Sequence, residues 1–417
     1  MLPFFRKSET YVSGAGETRG DSGPLMVEDY RTILPLTHRF VEAGRQAGHE
    51  FQEDLNGYER EGVGYSQMSR IGRRRGSTSQ TFLAGIKRKD LIQVETKALV
   101  HRLLFEGRRC VGVAYEQGGT IKEVRPTQEI VLSGGSVNSP HLLQISGVGP
   151  AALLRSIGVE PLHDLPGVGA NLSDHYSVRV ARRVKDAISV NQLGRGPRLV
   201  GQALRYVAKG DGAFTFGVTT AQIFTRSREG LASPDIQLLF TPMTFGKGKV
   251  RKFEREPGMA INCSIARPES RGTILARSPD PREAPSIKPN YLEQESDRRV
   301  LVAAVREARR VFEQPAFKPH AVTEIAPGSQ VESDDEIIDY AREAGTPIFH
   351  PVGVCKMGDP NEPSAVVDPR LKVRGIAGLR VVDASIMPAV TTANTNSTAI
   401  MIGEKGAAMI LEDQAVS

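Results

Sequence analysis

Glu129-Ile-Val-Leu-Ser-Gly-Gly-Ser-Val-Asn-Ser-Pro-His-Leu-Leu-Gln-Ile145 is the stretch on which the fold turns. The compact apolar run from Glu129 to Ser133 reads as a short buried strand, and Gly134-Gly135 as the turn that leaves it. Pro140 to Ile145 then reads as a helix, because proline's missing N–H costs nothing in a first turn. A strand, a glycine turn and a helix in that order form the repeating unit of an α/β sheet, which gathers ligands at the carboxyl ends of its strands. A second apolar strand, Leu379-Arg-Val-Val382, ends on Asp383 and offers the same kind of edge.

Working outward, residues 31–48 place Ile33, Leu34, Leu36, Phe40 and Val41 at roughly helical spacing and stop near Gly48. Polar, glycine-rich sequence follows to about Gly85. Asp90 to Glu95, Ala98 to Phe105 and Val111 to Tyr115 read as three short strands of a β-meander, with Glu106-Gly-Arg108 as the turn between the last two. Between Ser177 and Tyr291, Ile236-Gln-Leu-Leu-Phe240 and Ala260-Ile-Asn-Cys-Ser-Ile265 alternate apolar and polar residues, which predicts an antiparallel sheet with one packed face. Ser296 to Glu313 is an amphipathic helix with Leu301, Val305, Ala308 and Phe312 on its apolar side. Pro351 to Pro388 is loop-rich, and a last helix is expected from Ser397 to Leu411.

The bulk properties narrow the function. With 417 residues, 39% hydrophobic and 24% charged, the chain has the composition of a soluble globular protein. Its apolar runs fall well short of the roughly 20 residues of a membrane span. Met1-Leu-Pro-Phe-Phe-Arg-Lys7 lacks the layout of a secretory signal, so the expected compartment is cytoplasmic. Cys110, Cys263 and Cys355 are widely spaced and suggest neither a disulfide framework nor a zinc site. The net charge is +6, and the obvious basic run, Arg70-Ile-Gly-Arg-Arg-Arg75, is short, has no interleaved aromatics and reads as a basic loop on a solvated face. No nucleic-acid partner, metal or transmembrane segment is expected.

Two glycine patterns carry little by themselves. Gly147-Val-Gly-Pro-Ala-Ala152 fits a G-x-G-x-x-A spacing but follows a helix rather than a strand, and Gly167-Val-Gly169 has Leu172 where the third small residue belongs. The longer patterns are more specific. Gly135 to Gly149, Asp164-Leu-Pro-Gly-Val-Gly-Ala-Asn-Leu-Ser-Asp-His175, Phe349-His-Pro-Val-Gly-Val-Cys-Lys-Met-Gly358, Leu379 to Pro388, and Asn394-Thr-Asn396 with Ile400-Met-Ile-Gly-Glu-Lys405 are five blocks in a fixed order. Together they resemble the glucose-methanol-choline (GMC) oxidoreductase family, in its choline dehydrogenase-like form. The resemblance implies an α/β fold, with a partial FAD/NAD(P)-binding Rossmann-like domain and a substrate domain of antiparallel sheet plus helices. Residues 85–180 and 376–417 would belong to the FAD-binding part, and 1–84 and 181–375 to the substrate-binding and covering regions.

The implied activity is FAD-dependent oxidation of an alcohol to an aldehyde or ketone, by hydride transfer to flavin N5, in an alcohol dehydrogenase or oxidase. Such chemistry needs a group that takes the hydroxyl proton, and a neutral imidazole suits it. The resemblance makes His350 that base and Asn394 its partner at a position that is His or Asn among relatives. An amide can orient the substrate oxygen but cannot act as a base. Asn394 or Asn396 could equally serve as caps of the last helix. The resemblance assigns Val100, Asp383, Ala384, Thr395 and Asn396 to FAD; read alone, Asp383 could be a turn former and Val100 a strand residue. Cys355 lies near His350 in sequence but is read as an inert buried thiol.

One departure stands out. The family's N-terminal strand, G-x-G-x-x-G turn and helix are not found, and Leu2-Pro-Phe-Phe-Arg-Lys-Ser-Glu9 resembles an internal stretch of relatives. The sequence therefore suggests a missing N-terminal FAD-binding segment, with a truncated, flavin-free remnant of binding or structural role as the alternative function. The expected partners are a small-molecule alcohol, a dioxygen or quinone-like electron acceptor and that missing segment. The absence of tryptophan makes an aromatic cage for choline harder to build.

Overall fold

The computed structural model describes residues 1–246 and 252–416. The strand expected at Glu129 to Ser133 forms over Ile130–Leu132 and pairs in parallel with Leu379–Val381, Val131 lying opposite Arg380. Both strands end at the same edge, where Gly134 and Gly135 turn into the helix Gly135–Ile145. That helix starts five residues before the predicted Pro140, which lies inside it. The reason is a carboxylate from the neighbouring strand. Asp383 Oδ2 accepts from Gly135 N at 2.9 Å and from Ser139 Oγ at 2.5 Å, so the helix begins on an anion that satisfies its free N–H end.

The meander forms, but with a different third strand. Ala98–Glu106 pairs with Arg109–Gln117, which pairs with Thr120–Val124. Asp90 to Glu95, expected to be a strand, is instead a single 3-10 turn at Lys89–Leu91 followed by extended, unpaired chain. Its Leu91, Ile92 and Val94 are exposed and have no face to pack on. Gly118 and Gly119, both at positive φ, make the tight turn that gives Thr120–Val124 a local partner.

The antiparallel sheet is larger than the two predicted strands implied. Its order is Ala321–Ala326, Tyr176–Val184, Gly258–Ile265, Ile236–Thr241, Ala221–Thr225 and Gly62–Tyr65, and Thr346–Pro347 pairs with the start of Tyr176–Val184. Helices Pro35–Gln46 and Glu295–Phe312 pack their apolar sides into the core beneath it, where Phe40 and Phe240 stack at 4.6 Å. A second core surrounds the parallel strand pair and takes in Leu143, Val168, Val352, Cys355 and Val366. Chain crossing between the two cores runs through residues 173–176 and 346–352, and that crossing holds the site.

The basic run is a hairpin and not the expected loop, Arg74–Arg75 pairing back on Arg70 and Ile71, and one of its arginines is not solvated. Arg70 is buried, bonds the Gly210 carbonyl and lies 3.2 Å from Glu28, because the alternation of the strand Gln67–Ile71 turns it inward. Arg73, Arg74 and Arg75 are exposed. The three cysteines are free and buried. Among the described residues no helix is long and apolar enough to cross a membrane, and no cluster of His, Cys, Asp or Glu is placed to hold a metal.

Candidate active site

Two stretches of chain zip together to position His350. Ser173 and Val352 exchange backbone hydrogen bonds at 3.1 and 2.9 Å, and Ile348 N donates to the His175 carbonyl at 3.0 Å. The buried Asp174 adds a third fastening, its Oδ1 accepting from His350 N at 2.7 Å and its Oδ2 from the Tyr291 hydroxyl at 2.6 Å. Burial pushes the Asp174 carboxyl above its usual range, while the Tyr291 hydroxyl and the His350 and His175 amides pull it down. Phe349, just before the histidine, has a φ of +63°, a conformation bulky side chains seldom adopt. The surrounding bonds hold that strained turn, and with it the direction of the next ring.

The side chains form a line. His175 Nε2 lies 3.2 Å from the Ala266 carbonyl oxygen, His175 Nδ1 lies 2.9 Å from His350 Nδ1, and His350 Nε2 lies 3.2 Å from the Asn394 amide nitrogen. A carbonyl only accepts, and with the His175 proton assigned to Nε2, toward the Ala266 carbonyl, its Nδ1 presents a lone pair to His350. His350 must then donate from Nδ1, which leaves a lone pair at its Nε2, where the Asn394 N–H can donate. Both rings are held neutral. Burial, with His350 nearby, drives the His175 imidazole down to about 4, and burial also lowers His350 below the usual histidine range.

Asn394 lies on the wall of a cleft of about 750 Å³. Asn396, Ser397 and Thr398 of the last helix, Asn396–Val416, contribute a second side, and Ser66 to Ser69 a third. The cleft thus receives the positive end of a 21-residue helix and the Asn394 amide, while His350 stands behind Asn394, 3.2 Å from it, and does not itself line the cleft. Such an arrangement can take a proton from a hydroxyl, hold its oxygen by an amide, and stabilise negative charge on a flat group laid against the helix start.

The predicted site residues separate into groups. His350 and Asn394 are in contact, and Asn394 bonds the imidazole rather than capping the helix; Asn396 shares the cleft wall, with Thr395 buried between them. Asp383 and Ala384 sit at the end of the parallel pair; the Asp383 carboxylate is spent on Gly135, Ser139 and Ser385 within the chain. Val100 is half-buried on the outer strand of the meander, opposite Tyr115. Cys355 is fully buried with its thiol pushed up by desolvation, and it lies beside Ser385 rather than His350. Sequence reasoning missed Asp174 and His175, although both close the block Asp164 to His175.

The residues also fit a dinucleotide. Gly135, at φ +76° with open space where a side chain would project, brings bare backbone to the carboxyl end of the parallel strands. The helix start immediately behind it already holds the Asp383 carboxylate, so this edge offers a cofactor bare backbone and not a free anion seat. The last helix offers its N-terminal end to the cleft, as an anionic isoalloxazine edge requires.

Comparison with known proteins agrees. The N-terminal and C-terminal profiles of the GMC oxidoreductases match residues 1–177 and 268–403. Mitochondrial choline dehydrogenase of Mus musculus is 40% identical over 423 residues, an alignment covering 100% of this chain and 70% of that protein. Oxygen-dependent choline dehydrogenase of Brucella melitensis is 38% identical over 416 residues, covering 99% and 74% respectively. Among solved structures, a formate oxidase of Aspergillus oryzae RIB40 superposes with a TM-score of 0.90 at 25% identity, over 99% of this chain and 78% of that one. The α/β class inferred from the sequence agrees with these neighbours. The expected loss of an N-terminal FAD-binding segment gains no support, since the N-terminal profile matches from residue 1. The chain belongs to the GMC oxidoreductase family, with FAD as its cofactor and alcohol-type compounds as its donors.

Proposed function

We propose that the protein oxidises an alcohol to an aldehyde or ketone, with His350 Nε2 as the base that takes the hydroxyl proton and Asn394 as the group that holds the hydroxyl oxygen. The observation that carries this reading is the line from the Ala266 carbonyl through His175 to His350, which leaves one unprotonated nitrogen facing Asn394. When bound, FAD supplies the acceptor for the hydrogen that leaves the carbinol carbon with its two electrons, passing them on to dioxygen or a quinone-like compound. The proton stays on the imidazole, whose Nδ1–H remains bonded to His175, so the imidazolium forms without a change of ring orientation. Asn394 shifts its N–H from the imidazole to the substrate oxygen, placing the hydroxyl within reach of Nε2. Asp383 and Ala384 support the cofactor from the strand edge, with Asp383 acting by fixing the Gly134-Gly135 turn. Thr395 and Asn396 support it from the helix start, and Val100 from the meander.

Two expected results follow. Only neutral His350 is active, and burial lowers its titration, so kcat/KM rises with pH along a single ascending limb whose midpoint lies below the 6.5 of an ordinary histidine. A pH–rate profile of the FAD-loaded enzyme measures it, and a midpoint above 6.5 would contradict the burial argument. His175 acts through His350 as a positioning residue. His175→Phe keeps the ring volume but removes the acceptor for His350 Nδ1–H, and kcat is expected to fall about 10- to 100-fold by analogy with other lost imidazole partners. Nitrogen-15 NMR of the imidazoles distinguishes this from mere loosening. The wild type should show His350 protonated on Nδ1, and the variant a mixture of tautomers.

A further inference from the structure

Among the described residues the cleft contains a cation that no carboxylate pairs with. Its charged lining residues are Glu9, Arg19 and Arg60. Glu9 binds Arg19 through Nε at 3.0 Å and Nη2 at 2.8 Å, and Asp54, just behind, accepts twice from Arg19 Nη1 at 3.0 Å. Arg19 thereby occupies both acids. Arg60 is half-buried, and its one hydrogen bond runs from Nη1 to Thr392 Oγ1 at 3.3 Å; among the described residues no acid lies within ion-pairing distance of it. Its guanidinium carbon sits 5.4 Å from the ring centroid of the buried Phe224. Burial pulls the Arg60 guanidinium down from its usual range while Asp54 acts the other way, as expected of a cation taken partly out of water without a close partner. A partly desolvated guanidinium with free donors is costly unless an anion completes it.

We propose that the substrate is an alcohol that also carries a carboxylate, bound by Arg60 while its hydroxyl lies at Asn394 and His350. The proposal rests on the function given above. Thr392, which Arg60 touches, lies two residues before Asn394, so cation and reaction centre share one wall of the cleft. Among the described residues a single unpaired guanidinium, with no lysine in the lining, matches a monoanion better than a phosphate dianion. The same geometry disfavours a quaternary ammonium. The Phe224 face that could receive such a group is already covered by Arg60, and two like charges would meet at low dielectric. The choline dehydrogenases to which the chain is similar thus mark its family and not its substrate.

The test uses the FAD-loaded protein with 4-hydroxybutanoate and 6-hydroxyhexanoate against 1-butanol, 1-hexanol and choline. The hydroxy acids are expected to exceed the neutral alcohols of equal length by about 10- to 100-fold in kcat/KM, mostly through KM, with choline below both. Arg60→Gln should bring the ratio of acid to neutral alcohol close to one, and Arg60→Lys should restore part of it. Calorimetric binding of butanoate and of tetramethylammonium gives a readout that needs no turnover. Butanoate is expected to bind the wild type and to lose at least tenfold in Arg60→Gln. Choline or neutral alcohols preferred by the wild type, a ratio unmoved in Arg60→Gln, or tetramethylammonium binding more tightly than butanoate would each overturn the proposal. Failure of the catalytic reading looks different: butanoate would still depend on Arg60, while no alcohol would be oxidised or His350→Ala would turn over normally.

Discussion

His350→Ala should lower kcat by about 100- to 10,000-fold, the usual contribution of a general base. The expectation depends on Nε2 being the only unprotonated imidazole nitrogen directed at Asn394, since the Nδ1 lone pair of His175 is occupied by the His350 proton. Asn394 cannot take over, because an amide has no basic nitrogen. Substrate affinity should change far less than turnover, and the ascending limb of the pH profile should vanish together with the rate. His350→Gln restores a hydrogen-bonding group without a base, so it is expected to stay within tenfold of His350→Ala. Steady-state kinetics over a pH range measures both effects. A variant that retained more than a tenth of the wild-type kcat would move the base elsewhere.

The largest structural effect is expected at Asp383. Its carboxylate is 8% exposed and accepts from Gly135 N, Ser139 Oγ and Ser385 N at 2.9, 2.5 and 2.8 Å. Asp383→Ala strands two backbone N–H groups and a hydroxyl in a buried place, each costing about 1–3 kcal/mol. The sum, roughly 3–9 kcal/mol, is a large share of the 5–15 kcal/mol that holds an ordinary domain together. The helix start at Gly135 should loosen with it, so the variant should both unfold at lower urea and bind FAD more weakly. Asp383→Asn keeps one acceptor oxygen and should fall between the two. Urea midpoints and FAD dissociation constants check the ranking, and an Asp383→Ala midpoint equal to wild type would show that the carboxylate is dispensable.

The pairing of His350 with Asn394 is legible in the sequence because both residues sit in contiguous blocks. Phe349-His-Pro and Asn394-Thr-Asn each carry their residue in a recognisable frame, and the structure brings the two side chains to 3.2 Å. His175 was harder to see, since its role depends on a ring-to-ring contact across 175 positions that only the crossing between the two cores creates. Asp383 is legible as a strand-end residue, but the commitment of its carboxylate to the chain's own helix start is not, because Gly135 and Ser139 lie 248 and 244 positions away in sequence. Pro140 misled because a proline normally opens a helix, whereas an anion from the adjacent strand starts this one earlier. Asp90 to Glu95 has apolar residues at strand-like spacing, yet spacing alone does not supply a partner edge. Arg60 carried no signal at all, because its meaning lies in what fails to sit beside it.

The most direct measurement is anaerobic rapid mixing of the FAD-loaded protein with 4-hydroxybutanoate, following the flavin absorbance from below pH 6 to pH 8. The wild type should bleach, with a rate that rises with pH to a plateau and a midpoint below 6.5, and His350→Ala should bleach at least 100-fold more slowly with no such rise. Bleaching in His350→Ala at the wild-type rate and with the same pH dependence would contradict His350 as the base.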